Sequence, residues 1–251
     1  MQAIELIGQS SPGILTANVV IPRYGVPMSI RTVIERGPKG KRAVAIAIDW
    51  PGWNRGAKSP DAALETLEAY RARYRPVAAF AGLADDFDAA GALEVFEDHV
   101  GNTSTDFWGI SWLPSETEHG PMEPDVLDRR LALLEGAWRF FDEVAARVSA
   151  EMRRGARGGG RTRDEIINHV FGNERVQFSK RVGVATPPGV MLTPDGLRAH
   201  REQFLAGLRE YNAADRKVGR TWTLQYLLRH AAYHVLDHAW EMDDKDLSGA
   251  D

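Results

Sequence analysis

The stretch "PDVLDRRLALLEGAWRFFDEVAARVSAEM" (124–152) decides the architecture of the second half of the chain. Leu127, Leu131, Leu134, Trp138, Phe141, Ala145, Val148 and Met152 follow one another at steps of four and three without a break. An apolar residue every three and a half positions lines one side of an α-helix, and a seam of this length predicts about seven turns. One amphipathic helix cannot bury its own stripe, so partners are required, and the sequence beyond supplies them. The glycines of "RRGARGGGRTR" (153–163) end the first helix. A second is expected from near Asp164, with Ile166, His169, Val170, Asn173 and Val176 along one side. "ATPPGVMLTPDG" (185–196) breaks the chain again, and Thr193 with Pro194 supplies a cap and first turn for a third helix carrying Leu197, Phe204, Leu208 and Tyr211. The fourth runs from about Thr221 to Asp243. Four amphipathic helices predict a four-helix bundle over residues 119–251.

Residues 1–118 have a different rhythm. "LTANVVI" (15–21), "SIRTVIER" (29–36) and "KRAVAIAID" (41–49) are β-branched runs separated by "PRYGVP" and "GPKG", whose Pro and Gly mark turns, so three consecutive strands are expected. "WPGWNRGAKSP" (50–60) reads as a loop. Ser59 and Pro60 then open a helix along which Ala63, Leu67, Tyr70 and Tyr74 recur at spacings of three and four. "ALEVFED" (92–98) predicts a further strand. The fold class is therefore α+β: a small α/β unit followed by a helical bundle. Residues 46–74, "IAIDWPGWNRGAKSPDAALETLEAYRARY", resemble the strand, Pro-Gly loop and helix of HicB-like domains, which implies a sheet that packs, forms a homodimer or binds a ligand.

Composition excludes several classes of function. A hydrophobic share of 43%, a charged share of 26% and a net charge of −4 are ordinary for a globular chain and leave no electrostatic footprint for nucleic acid. The arginines of 153–163 would supply phosphate contacts, but no stacking aromatics adjoin them, so a solvated loop is the expectation there. No apolar run approaches the length of a membrane span, and the opening residues lack a basic segment before an apolar one, so no membrane partner and a cytoplasmic location are expected. The chain has no cysteine, which rules out a cysteine nucleophile, a thiolate metal site and a disulfide framework.

The fourth helix contains "RHAAYHVLDHAWE" (229–241), with His230, His234 and His238 four residues apart. Its apolar seam, Leu224, Leu227 and Ala231, continues at the same steps to positions 234, 238 and 242. His234 and His238 thus fall on the inward side, and His230 flanks it. Residues four apart on a helix are stacked neighbours, so two imidazoles can converge on one ion. A third ligand must come from a facing helix, and His169, on the seam of Ile166 and Asn173, is the candidate. Three neutral imidazoles suit Zn²⁺, or Ni²⁺ or Fe²⁺, and leave a coordination position for a small-molecule substrate. Metal-bound imidazoles commonly donate their second N–H to an acceptor, which makes Asn173, Asp237 and Glu241 the candidate orienting groups. His230 is expected beside the ligands or at the surface, His200 beside a polar neighbour, and Trp222 and Trp240 as pocket walls. The alternative is core histidines satisfied by hydrogen bonds. The acidic end, Glu241, Asp243, Asp244 and Asp246, opposes the negative pole of the helix and predicts fraying beyond Met242.

A long first helix, the histidine of "EIINHVFGNE" (165–174) and the His-x3-His-x3-His of "HAAYHVLDH" (230–238) together resemble the DinB-like superfamily of metal-binding four-helix bundles, over about residues 123–245. That superfamily includes mycothiol-dependent maleylpyruvate isomerase and bacillithiol transferases. The resemblance implies His169, His234 and His238 as ligands and a low-molecular-weight thiol as cosubstrate, activated for S-transfer or isomerisation. The chain departs from the pattern at "AWEMDDKD" (239–246), where many relatives carry an "RGQ"-like segment. A metal-dependent hydrolase would use the same ligands, and a non-catalytic regulatory module would use the metal as a scaffold.

Overall fold

The computed structural model describes residues 29–155 and 159–249. The expected strand at 15–21 lies outside the described residues, as do positions 156–158 of the arginine-rich loop. The elements are strands β1 (Ile30–Arg36), β2 (Ala43–Ala47) and β3 (Asn54–Ala57), then helices α1 (Pro60–Ala69), α2 (Arg71–Phe80) and α3 (Ala84–Asp88). Strand β4 (Leu93–Val100), the short helix α4 (Thr103–Trp108), and the long helices α5 (Pro124–Arg147), α6 (Arg163–Asn173), α7 (Pro194–Ala213) and α8 (Leu224–Lys245) follow. The chain is mixed α/β, with a four-stranded sheet in its first half and helices in its second.

The sheet order is β3-β2-β1-β4. β1 and β2 form an antiparallel hairpin with Val33 opposite Ile46, and β4 joins β1 in parallel after the crossover through α1–α3. Period-two alternation sends Ile30, Ile34, Ala43, Ala45 and Ala47 to the face that α1 and α2 cover, and that core continues into α5. Val33, Val44, Ile46 and Ile48 form a second cluster on the opposite face.

Several expectations are corrected here. The segment 50–60 is not all loop: Asn54–Ala57 is strand β3, antiparallel to β2, a pairing the polar, glycine-containing sequence does not advertise. The helix opened by Ser59 breaks at Tyr70. Beyond the break Tyr74 stacks on Trp53 at 5.5 Å, while Tyr70 at the break meets the edge of Trp240 at 5.0 Å. Helix α5 stops at Arg147, five residues before Met152, because the chain turns to dock on the end of α8. There Ser149 N–H donates to Asp246 Oδ1 (2.9 Å) and Arg153 N–H to the Lys245 carbonyl (2.8 Å). Val148 and Met152 remain buried outside the helix. Beyond α6 the backbone passes through one wide π-helical turn, Glu174–Phe178, which shifts the register so that Val176 is exposed while Glu174 and Phe178 point inward.

Helix α8 packs on α5, α6 and α7, and also meets the sheet half. The turn before β3 presses Gly52, at φ +93°, so closely on α8 that a Cβ there would stand 2.7 Å from Leu236 Cδ1. Arg229 is fully buried and forms a two-pronged ion pair with Glu118 at 2.7 and 2.8 Å. The helix does not fray at Met242. It continues to Lys245, since Arg73 and Arg147 pair with Asp243, Arg73 also pairs with Asp244, and Lys245 bonds back to Glu241. No helix among the described residues is long and apolar enough to cross a membrane.

Candidate metal centre

Helix α6 is started by a reciprocal cap, in which Thr162 Oγ1 accepts from Glu165 N–H and the Glu165 carboxylate accepts from Thr162 N–H. Ile166 and Val170 anchor its inner side, which turns His169 toward α8. On α8, Thr223 caps the first turn, and the buried Leu227, Ala231 and Val235 fix the rotation that presents His234 and His238. His169, His234 and His238 converge so that one nitrogen from each lies within 4.8 Å of the others, and all three side chains are half-buried. His169 Nε2 and His234 Nε2 are 3.3 Å apart. Two nitrogens bound to one tetrahedral zinc at about 2.0–2.1 Å stand roughly 3.3–3.4 Å from each other, so this separation fits a shared ion. A hydrogen bond between two imidazoles would explain that single contact, but not the approach of the third ring, whose centroid is 4.8 Å from both others.

Burial is the main force holding the His169 imidazole below its ordinary range, with the charges of His238 and Arg161 adding to it. His234 is pushed down to about 2, first by burial and then by the neighbouring histidines. Both are therefore neutral near pH 7, the form that binds a metal. His238 Nδ1–H donates to Glu241 Oε2 at 2.8 Å, which leaves Nε2 with its lone pair for the cluster. That bond, together with Lys245 Nζ donating to Oε1, holds the Glu241 carboxyl at about 2 against the opposing effect of burial.

The remaining candidates are placed as follows. Asn173 lies beside His169, but its Nδ2 donates to the His169 carbonyl at 2.9 Å, so the amide presents nitrogen rather than oxygen to the ring. Asp237 turns away from the cluster, because Arg55 claims it at 2.7 Å. His230 is neither at the surface nor bonded to a ligand. It is buried in an aromatic cluster, stacked on Tyr226 at 5.2 Å and flanked by Trp112, Phe178 and Trp222. Burial lowers its pKa to about 3, so it is neutral there. Trp222 is a half-buried wall of that cluster, with the Arg181 guanidinium 3.8 Å above its ring. Trp240 is not a pocket wall. It lies six residues beyond His234, about 240° around a helix of 3.6 residues per turn, and so faces Tyr70 and Arg55. His200 has its polar neighbour in Thr186, at 2.7 Å.

Sequence reasoning missed Phe178, which the wide turn brings to 5.6 Å from the His234 ring. His234 Nδ1 is buried with no hydrogen-bond partner among the described residues, so packing against Phe178 takes over the orienting role that an acceptor has for His238. No spacing rule announces a π-turn, and this wall had no signal in the sequence. Comparison with known proteins gives no match: no family model, no curated protein and no solved structure resembles the chain significantly.

Proposed function

We propose that His169, His234 and His238 hold a divalent ion, zinc first and nickel or iron as alternatives, in a thiol-dependent transferase or isomerase. In this reading α5–α8 form a DinB-like four-helix bundle and the sheet half is HicB-like. The observation that carries it is the convergence of three imidazoles, one nitrogen from each within 4.8 Å of the others, with His169 Nε2 and His234 Nε2 at the 3.3 Å spacing of a tetrahedral site. A divalent ion bound there supplies Lewis acidity that lowers the pKa of a coordinated thiol or water.

The chain's own residues do the rest. Glu241 fixes the tautomer and tilt of His238, and Phe178 covers one side of His234, which keeps water from that flank. The half-burial of all three ligands leaves an approach from outside. The absence of cysteine means that a thiol must arrive as a cosubstrate and that no protein thiol competes with it.

The test is consumption of small thiols by the zinc-loaded protein in the presence of electrophiles such as activated alkenes and epoxides, compared with His234→Ala. Metal-dependent acceleration supports the reading. A fully loaded protein that accelerates no thiol–electrophile pair overturns it and leaves a metal-stabilised binding module. Ester or amide hydrolysis without thiol would point to a hydrolase instead.

A further inference from the structure

Where α7 ends and α8 begins, a cavity of about 310 Å³ lies between the connecting loop 215–223 and the segment 119–121. Its volume is at the lower end of the range of small-molecule sites, and none of the three clustered histidines lines it. The chain enters it through Asp215, the one non-glycine residue with a left-handed backbone among the described residues (φ +46°), where Arg216 N–H reaches back to the Tyr211 carbonyl at 2.9 Å and closes the end of α7. The walls are pinned by side chains. Asn212 accepts from Met122 N–H at 2.7 Å and donates to the Met122 carbonyl at 2.8 Å, and Gln225 Nε2 donates to the Gly120 carbonyl at 3.1 Å. On the loop side Arg181 Nη1 donates to the Val218 carbonyl at 3.0 Å, while its guanidinium rests 3.8 Å above the ring of Trp222. The hollow is therefore held open before any ligand arrives.

Its charge is one-sided. Arg216, Lys217 and Arg220 line the cavity against the single carboxylate of Asp215, in a chain whose net charge is −4. Arg216 shares an exposed pair with Glu210 at 2.9 Å. Lys217 and Arg220 have no hydrogen-bond or ion-pair partner among the described residues. A larger hollow against α2 and α3, of about 610 Å³, is also lined by two arginines, but Glu68 holds Arg71 and Asp88 holds Arg75, so its charges are balanced. Helix α8, 22 residues long, starts at the cavity with Leu224, and its first-turn N–H groups add a positive pole to the unpaired cations. A planar carboxylate is matched by one arginine fork, whereas several cations with backbone N–H groups suit a phosphate. The volume and the Tyr211, Val218 and Trp222 walls give room for an organic group beside the anion.

We propose that this cavity binds a small organic phosphate monoester, its phosphate between Lys217, Arg220 and the first turn of α8, its organic part against Tyr211 and Trp222. A phosphate monoester carries a charge of about −1.5 to −2 at pH 7, which the two unpaired cations match. The site is separate from the three-histidine cluster and needs no ion there.

The experiment is isothermal titration calorimetry of the full chain with phenyl phosphate, benzoate and inorganic phosphate. Wild type should bind one phenyl phosphate per chain, about tenfold or more tighter than benzoate, which has less charge, and than inorganic phosphate, which leaves the aromatic walls unused. Lys217→Gln/Arg220→Gln alters two exposed side chains, so the fold holds, and should weaken phenyl phosphate about 10- to 100-fold through loss of two charge-assisted contacts. Arg139→Gln, an exposed cation that lies over Phe80 and does not line the cavity, and His234→Ala should leave the affinity unchanged. Absence of saturable binding, equal affinity for benzoate or inorganic phosphate, or wild-type affinity in the double variant would overturn the inference. An equal loss in Arg139→Gln would reduce the binding to general charge attraction, and a loss in His234→Ala would move the probe to the three histidines; either result overturns it as well.

Discussion

Replacing Glu174 with glutamine should stabilise the protein at neutral and alkaline pH. Glu174 is 1% exposed, and both of its carboxylate oxygens lack hydrogen-bond partners among the described residues. Arg201 Nε and His200 Nε2 each lie 3.6 Å from Oε1, too far for a good hydrogen bond. Burial pushes this carboxyl from 4.5 up to about 7, with Arg201 opposing. A carboxyl that keeps its proton to higher pH in the folded chain than in the unfolded one favours folding below pH 4.5. That advantage is lost as pH rises through 7. The interval between the two values corresponds to about 3 kcal/mol. Urea denaturation of wild type and Glu174→Gln at pH 4.5, 6 and 8 therefore reads near-equal stabilities at the lowest pH. The difference in favour of glutamine should open to as much as about 3 kcal/mol at pH 8. His200 is present in both proteins but lies 3.6 Å from the substituted group, so the comparison is decided at pH 8, where this imidazole is neutral in both. Its own contribution has the opposite slope, because burial lowers it to about 4, so protonating it costs stability as pH falls from 6.5 toward 4. A Glu174→Gln variant that is less stable than wild type at pH 8 would refute the reasoning, since it would mean that an ionised Glu174 is bound productively by Arg201.

Three further outcomes follow from the packing and the site. Arg229→Met strands the buried Glu118 carboxylate and should cost about 3–5 kcal/mol by chemical denaturation, whereas Arg229→Met with Glu118→Leu should recover most of it; no recovery would show that the pair itself is net stabilising. Gly136→Ala should lower stability by about 1–2 kcal/mol, because a Cβ there would stand 2.5 Å from the Val77 carbonyl where α2 crosses α5, and the strain outweighs the gain in helix propensity; a more stable variant would count against so close a crossing. Glu241→Ala should weaken zinc binding about 10- to 100-fold in competition with a chromophoric chelator, through loss of the acceptor that orients His238, and an unchanged affinity would count against that role.

The grouping of His169, His234 and His238 was legible because helix geometry largely specifies it. Four-residue spacing stacks His234 on His238, and the apolar seam of α8 assigns them a side. His169 followed from its place on the seam of Ile166 and Asn173 by the same logic. Legibility ended where a helix is buried on more than one face. Leu224 to Tyr233 are buried without interruption, so α8 carries no polar side to say which residues meet the bundle and which meet the sheet half. Asp237 and Trp240 were therefore assigned to the cluster, when Arg55 and Tyr70, distant in sequence, hold them on the other side. Strand β3 escaped for a related reason: its pairing with β2 overrides the weak strand propensity of Asn54–Ala57. The π-turn at Glu174–Phe178 shifts the register by local backbone geometry, and a count of apolar spacings carried past it placed Val176, rather than Phe178, on the inner side.

The central claim is tested most directly by the metal content of the purified chain. Elemental mass spectrometry on wild type and on a His234→Ala/His238→Ala variant, shown to be folded by circular dichroism, should find about one divalent ion per wild-type chain and essentially none in the variant. Wild type that stays metal-free after zinc supplementation, or a variant that retains its ion, would contradict the account and return the three histidines to the core.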